Sequence, residues 1–251
     1  ILNSNDDEII KEVIFNESFI ISKVSSKEKN IKLLFNAYYN YYNFQLANPF
    51  SRSNNFMGRL TWNQSYRLES IAKLYEVTKN LNLKIQLIDQ IDSILMLNNK
   101  ELINEFNTEY SYPTKKYSLD KKTEISLLVD DSKIYDALYS AVNVLDDELQ
   151  AKYYSILKVR VEALFNYHEN YYDNIRNGYN FQYGINFIYD GVYLPYNQQN
   201  AFSLVLLKLF NTSKDEALKN RVFDLAKSFK DDFVYDENKL LWHYWPDEFY
   251  L

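Results

Sequence analysis

The stretch RLTWNQSYRLESIAKLYEVTKNLNLKIQLIDQIDSIL, residues 59–95, sets the fold class. Trp62, Ser65, Tyr66, Leu68, Glu69, Ala72, Leu74 and Tyr75 recur at intervals of three and four, which is the spacing of an amphipathic helix. After a polar break at Asn80 to Asn82 the pattern resumes through Ile85, Leu87, Ile88, Ile91, Ile94 and Leu95. Two helices joined by so short a connection make a helical hairpin. Downstream the unit recurs. Glu124 to Val144 and Asp146 to Ile175 form a second pair, and Asn197 to Phe210 with Asp215 to Phe229 a third. In the third pair Ala201, Leu204, Leu207 and Phe210 share one face of the first helix, and Val222, Leu225, Ala226 and Phe229 one face of the second.

Upstream, Asp6 to Gln45 predicts two more helices, with apolar positions at Ile9, Ile10, Val13 and Ile14 and again at Ile31, Leu34, Phe35, Tyr38, Tyr39 and Tyr42. Asn48 to Gly58 predicts a loop between units, and Asn99 to Lys122 is mostly irregular. Phe233 to Trp245 predicts a β-hairpin turning at Asp236 to Asn238. The repeating unit is thus a hairpin of roughly 35 to 45 residues with uneven spacing. A repeat with a fixed period of about 34 residues fits this poorly, and a toroid of helical hairpins whose loops build a central cleft fits it better. The expectation is an all-α chain, an incomplete (α/α) toroid occupying residues 1–251 as a single domain, with small β-hairpins in its loops.

Composition supports this. The 251 residues include 24 Tyr and 16 Phe but only 4 Gly and 4 Pro, and no Cys. Ordinary chains carry about 7% Gly and about 5% Pro. So few breakers disfavour sandwiches and barrels, which need a turn every ~8 to 12 residues, and parallel α/β folds with Gly-bearing loops. Three of the four Gly fall in Asn177 to Tyr196, NGYNFQYGINFIYDGVYLPY, which marks a shaped loop. A net charge of -6 without a basic tract disfavours nucleic acid as a partner. No apolar run approaches the ~18 residues of a membrane span. With no Cys and 2 His, neither a thiolate nor a multi-histidine metal site is expected, and no cofactor is implied. The chain starts at Ile1 rather than Met, so a cleaved export signal or a trimmed terminus is expected, and with the former a periplasmic or secreted location.

Two segments carry a resemblance to a known family: residues 59–95, and GVYLPYNQQNAFSLVLLKLF at 191–210 followed by a helix and LLWHYWP at 240–246. They resemble the helical hairpins of the incomplete (α/α) toroid in the C-terminal domain of D-glucuronyl C5-epimerases and related polysaccharide lyases. The resemblance covers somewhat under half of the chain. It implies a groove for an acidic polysaccharide and proton transfer at the carbon beside a uronate carboxylate, with Tyr as proton donor and acceptor and Asn, Gln, His or Arg neutralising the carboxylate. The matching region supplies Tyr193, Tyr196, Asn197, Gln198, Gln199 and Asn200. The family's His-Thr-Gly element has no counterpart at Ser126 to Tyr135, SLLVDDSKIY.

The residues add their own weight to this. A Tyr serves as a base when a neighbour lowers its pKa from about 10. Tyr196 precedes a predicted helix start whose dipole favours anions, with Asn197 as the cap and Gln199 and Asn200 in the first turn; ordinary capping after a Pro turn explains the same string. His243 lies among Trp242, Tyr244 and Trp245, and strand alternation sets Trp242 and Tyr244 on one side and His243 and Trp245 on the other. Aromatic faces stack on sugar rings, yet they also close a core. Trp62, Tyr66 and Arg67 open the first hairpin, where Arg67 is either a bidentate carboxylate ligand or a surface partner of Glu69 and Glu76. His168 sits among tyrosines near the end of a long helix, where a structural role is also open. Asp130 and Asp131 at a helix start admit two readings, a carboxylate pair of the kind that inverting or retaining hydrolases use, and ordinary helix N-terminal carboxylates.

The candidate catalytic set is therefore Tyr193, Tyr196 and His243. The candidate substrate-binding set is Trp62, Tyr66, Arg67, His168, Asn197, Gln199, Asn200, Trp242 and Trp245. The expected function is action on, or binding of, an acidic polysaccharide by lyase- or epimerase-type proton transfer. The alternative is a non-catalytic glycan-binding or assembly subunit, with a protein partner in a polysaccharide export or modification system.

Overall fold

A computed structural model describes residues 33, 55, 58–97, 107–115, 118–120, 122–236 and 239–246. The chain divides into two units, Ile1–Arg52 and Ser53–Leu251, and the description below concerns the second. The helices expected in Asp6 to Gln45, most of the loop that follows, and the tip of the C-terminal hairpin lie outside the described residues.

Among the described residues there are six α-helices: α1 Ser65–Thr78, α2 Leu81–Met96, α3 Leu128–Val142, α4 Asp147–His168, α5 Tyr196–Ser213 and α6 Glu216–Asp231. A π-helical turn, Leu60–Gln64, leads directly into α1. Two short antiparallel ribbons complete the set, β1 Tyr172–Asp173 with β2 Gly178–Tyr179, and β3 Val234–Asp236 with β4 Lys239–Leu241. The expected all-α class and the three hairpins α1/α2, α3/α4 and α5/α6 are present.

Short-range chemistry sets the starts of the second helices. Asn80 accepts from the N–H groups of Asn82 at 2.9 Å and Leu83 at 3.3 Å, Asp146 from Leu149 at 3.2 Å, and Asp215 from Ala217 at 2.9 Å. Each cap satisfies amide donors that the helix cannot. Lys79 and Lys214 adopt left-handed backbone (φ 52° and 60°) where α1 and α5 stop.

Packing then sorts the helices into two rows. The first helices of the hairpins lie side by side, α1 on α3 and α3 on α5, and each second helix packs on its own first. Centrality explains why α3 is buried nearly all round, through Ile134, Tyr135, Leu138, Tyr139, Ala141 and Val142. The outer α6 buries only Leu218 and Leu225.

Three boundaries differ from expectation. α3 begins at Leu128, not Glu124, because Ile125 pairs with Thr114 backbone to backbone at 2.9 and 3.0 Å. α4 stops at His168 instead of running to Ile175, since Glu169–Tyr171 tightens into a 3-10 turn and Tyr172–Asp173 enters a ribbon. Arg221 anchors that ribbon, its guanidinium 3.1 Å from the Tyr172 ring centre and paired through Nε and Nη2 with Glu169 at 3.0 and 2.6 Å. Finally, Pro195 is the N-cap of α5 with φ -63° and ψ 150°, so Asn197 is the second helical residue and not the cap.

Candidate functional site

The starts of the inner helices meet at a cleft of about 260 Å³. The π-helical turn before α1 brings Trp62, the start of α3 brings Leu127 and Val129, and the first turn of α5 brings Asn197 and Gln198. Phe181, Phe187 and Tyr189 come from the breaker-rich loop, and Tyr244 and Trp245 from the segment after β4.

Backbone pairing shapes that loop. Phe181 N–H donates to Val192 at 2.8 Å, Gly191 to Gln182 at 3.2 Å and Leu194 to Tyr179 at 2.8 Å, a narrow ladder that turns at the tip. Gly184 and Gly191 supply the positive φ angles, 76° and 68°, that such a tip requires. Its aromatics form one wall with Trp245: Tyr189 to Trp245 is 5.1 Å between ring centres, Phe181 stacks on Tyr189 at 5.8 Å, and Phe187 meets Phe181 edge-on at 5.0 Å.

Behind the floor lies a buried polar cluster. Asp130 and Asp131, at 0% and 2% exposure, are fully buried at the start of α3. Asp131 accepts from the Tyr112 N–H at 2.6 Å and from the Ser126 hydroxyl, and Gln182 donates to the Ser126 carbonyl. Asn55 donates to Asp130 at 3.3 Å. His168 Nε2 lies 4.0 Å from Asp131 Oδ2.

A second groove, also about 260 Å³, holds Tyr193, Tyr196, Arg176, Ser228, Asp231 and Asp232. The Tyr193 hydroxyl lies 3.2 Å from Ser228 Oγ and 3.3 Å from the Arg176 carbonyl, with the Arg176 guanidinium 5.5 Å from its ring centre. Burial pushes both phenols up, and for Tyr196 a hydrogen bond to Asp232 adds to the effect. Both are neutral at pH 7, which suits a proton donor and opposes abstraction of a proton.

No family model, curated protein or solved structure matches this chain.

Of the residues singled out from sequence, Trp62, Asn197 and Trp245 converge on the cleft, and Tyr193 and Tyr196 on the groove. Others are placed elsewhere. Arg67 and His168 are buried at 4% and 3% exposure, His168 edge-on to Tyr167 and Phe202. Gln199 is buried and structural, its Oε1 accepting from Tyr179 N–H at 3.1 Å and its Nε2 donating to the Leu194 carbonyl at 2.8 Å. Tyr66 is exposed beneath the Lys133 ammonium, 5.0 Å from the ring centre, and Asn200 is half-buried outside both depressions. His243 is exposed and lines neither.

The alternation expected for residues 242–245 does not hold, because β4 ends at Leu241. Tyr244 and Trp245 both face the cleft, while Trp242, 61% exposed, lies 6.4 Å from Phe229 and Phe233. The cleft residues that sequence reasoning left out of the site are Phe181, Phe187, Tyr189, Gln198 and Tyr244. The signal for the loop aromatics was the clustering of Gly around them. Among the described residues no group of three or more acidic or histidine side chains could hold a metal ion.

Proposed function

We propose that the chain binds a glycan, with one sugar ring held in the cleft between Trp62 and the Tyr189–Trp245 wall. The observation that carries this reading is the joining of aromatic faces to side-chain amides at one depression: Trp62, Tyr189 and Trp245 beside Asn197 and Gln198. Aromatic faces pack against the CH faces of a sugar, and amides offer both donors and acceptors to its hydroxyls. Gln198 Oε1 is buried and, among the described residues, has no hydrogen-bond partner, an arrangement that costs about 1–3 kcal/mol until a donor arrives.

The row of first helices supports reading the three hairpins as part of an incomplete (α/α) toroid, the architecture suggested by resemblance to D-glucuronyl C5-epimerases. The alternative of binding without chemistry is favoured over lyase- or epimerase-type transfer. The tyrosines expected to move protons lie in the other groove with raised pKa values, and His243 lies in neither.

Affinity electrophoresis through gels containing soluble polysaccharides tests the reading. Retention by at least one polymer, lost in both Trp62→Ala and Trp245→Ala and kept in Tyr196→Phe, is the expected result. Absence of retention by every polymer, or retention indifferent to both Trp variants, overturns it.

A further inference from the structure

Resting on that glycan reading, we infer that the ring in the cleft is an uncharged sugar presenting a hydroxyl or amide N–H donor to Gln198, and that uronate units are excluded from this subsite. Four features of the cleft converge on this.

Among the described residues, none of the side chains lining it carries a charge. A carboxylate moved from water into such a lining loses hydration and gains no Lys or Arg in return. The unpartnered group at the site is an acceptor, Gln198 Oε1, and a carboxylate is acceptor-only, so it cannot satisfy that oxygen. A sugar hydroxyl or an N-acetyl N–H can.

The charges behind the floor point the same way. Leu127 and Val129 line the cleft, and Asp130 and Asp131 follow in the same helical turn, fully buried. Asp131 accepts from the Tyr112 N–H and the Ser126 hydroxyl, with His168 Nε2 4.0 Å away, and both carboxylates already occupy the positive end of the α3 dipole. The other helix start at the cleft, that of α5, has spent donors an anion would need. Tyr196 N–H bonds the Tyr244 carbonyl at 3.1 Å and Gln198 N–H turns back to Pro195 at 3.0 Å.

Matched polymers test the inference. Polygalacturonate and heparosan are each compared with their carboxyl-reduced, neutral counterparts, alongside cellohexaose, xylohexaose and chitohexaose, by calorimetric titration at about 50 mM and about 500 mM NaCl. The expected result is that a neutral ligand binds at least about tenfold tighter than any acidic one, with affinity unchanged by salt, and loses about tenfold in Gln198→Leu. Preferential or equal binding of an acidic polymer that disappears in Trp245→Ala overturns the inference and leaves the glycan reading standing. Failure of all ligands, neutral and acidic alike, or binding indifferent to Trp245→Ala, overturns the glycan reading itself.

Discussion

The backbone N–H of Tyr196 donates to the carbonyl of Tyr244 at 3.1 Å, and this bond forms the partition between the two depressions. On its α5 side Pro195, Asn197 and Gln198 face the aromatic cleft while Tyr196 faces the polar groove. On its other side Tyr244 and Trp245 face the cleft and Pro246 the groove. Trp245, the residue after Tyr244, lies 5.1 Å from Tyr189 between ring centres.

The bond's contribution is separable from that of the Tyr196 ring. Proline suits the first helical position and lacks an N–H. Tyr196→Pro is therefore expected to be about 1 kcal/mol less stable than Tyr196→Ala and to show red-shifted tryptophan emission. Equal stability and identical emission in urea titrations of the two variants would show that the partition does not depend on this bond.

Gln199 and Gly178 form one joint. A β-carbon on Gly178 would overlap the Tyr193 hydroxyl and Gln199 Oε1. Gly178→Ala is expected to cost about 1–3 kcal/mol through overpacking. Gln199→Ala is expected to cost a similar amount by stranding the Tyr179 N–H and Leu194 carbonyl. Denaturant midpoints measure both, and a shift equivalent to under about 0.5 kcal/mol would refute the joint.

Removing the Asp131 carboxylate strips acceptors from the Tyr112 N–H and the Ser126 hydroxyl, both buried. Asp131→Ala should cost about 1–3 kcal/mol for each of the two buried donors it strands. Asp131→Asn should cost less, since its amide oxygen still accepts one of the two. The reverse order in chemical denaturation would contradict this account of the floor.

Tyr112, Tyr135 and Tyr179 are buried phenols whose pKa values burial raises, Tyr112 up to about 12. The folded chain keeps these protons while the unfolded chain releases them near pH 10. Their stabilising effect is therefore complete below about pH 10 and is lost as the pH rises toward about 12. The loss amounts to about 1.4 kcal/mol per pH unit for each phenol, or about 4 kcal/mol per unit for the three. Tyrosinate absorbance and far-UV circular dichroism should change together in one alkaline transition. Ionisation of the buried phenols near pH 10 with the helices intact would rule this out.

Arg221 grips Glu169 through two nitrogens and lies over Tyr172, which the point charge of Lys cannot reproduce. Arg221→Lys is expected to lose about 1–2 kcal/mol and to raise amide exchange at Gly178 and Tyr179. Unchanged exchange there would separate the ribbon from its anchor.

How far the sequence reaches follows from what each signal measures. Periodicity reports burial along one helix, and so the first hairpin was legible from Leu68, Ala72, Tyr75, Leu87, Ile91, Ile94 and Leu95, all in the core, whereas in α5 it picked the wrong face: Leu204 and Leu207 are exposed, and Phe202, Val205, Leu206 and Leu209 are buried instead. It does not report which partner a polar residue finds. Arg67, His168 and Gln199 carry the same chemistry whether they face a ligand or the interior, and tertiary packing put all three inside. Trp62, Asn197 and Trp245 were found because aromatic and amide groups sat beside breaks in the periodicity. Phe187 and Tyr189 were not, because their positions depend on a ladder between residues 179–182 and 191–194, whose pairing no local pattern encodes.

The widened turn Leu60–Gln64 places Trp62 at the cleft and runs without a break into α1. Such a turn is what one surplus residue leaves in an otherwise regular helix. Deleting a single residue between Trp62 and Ser65 would restore the ordinary winding and swing the indole by roughly 100° about the helix axis. The aim of this aromatic is thus set by residue count, and a one-codon change in length could retune ligand choice while leaving every other contact residue unaltered.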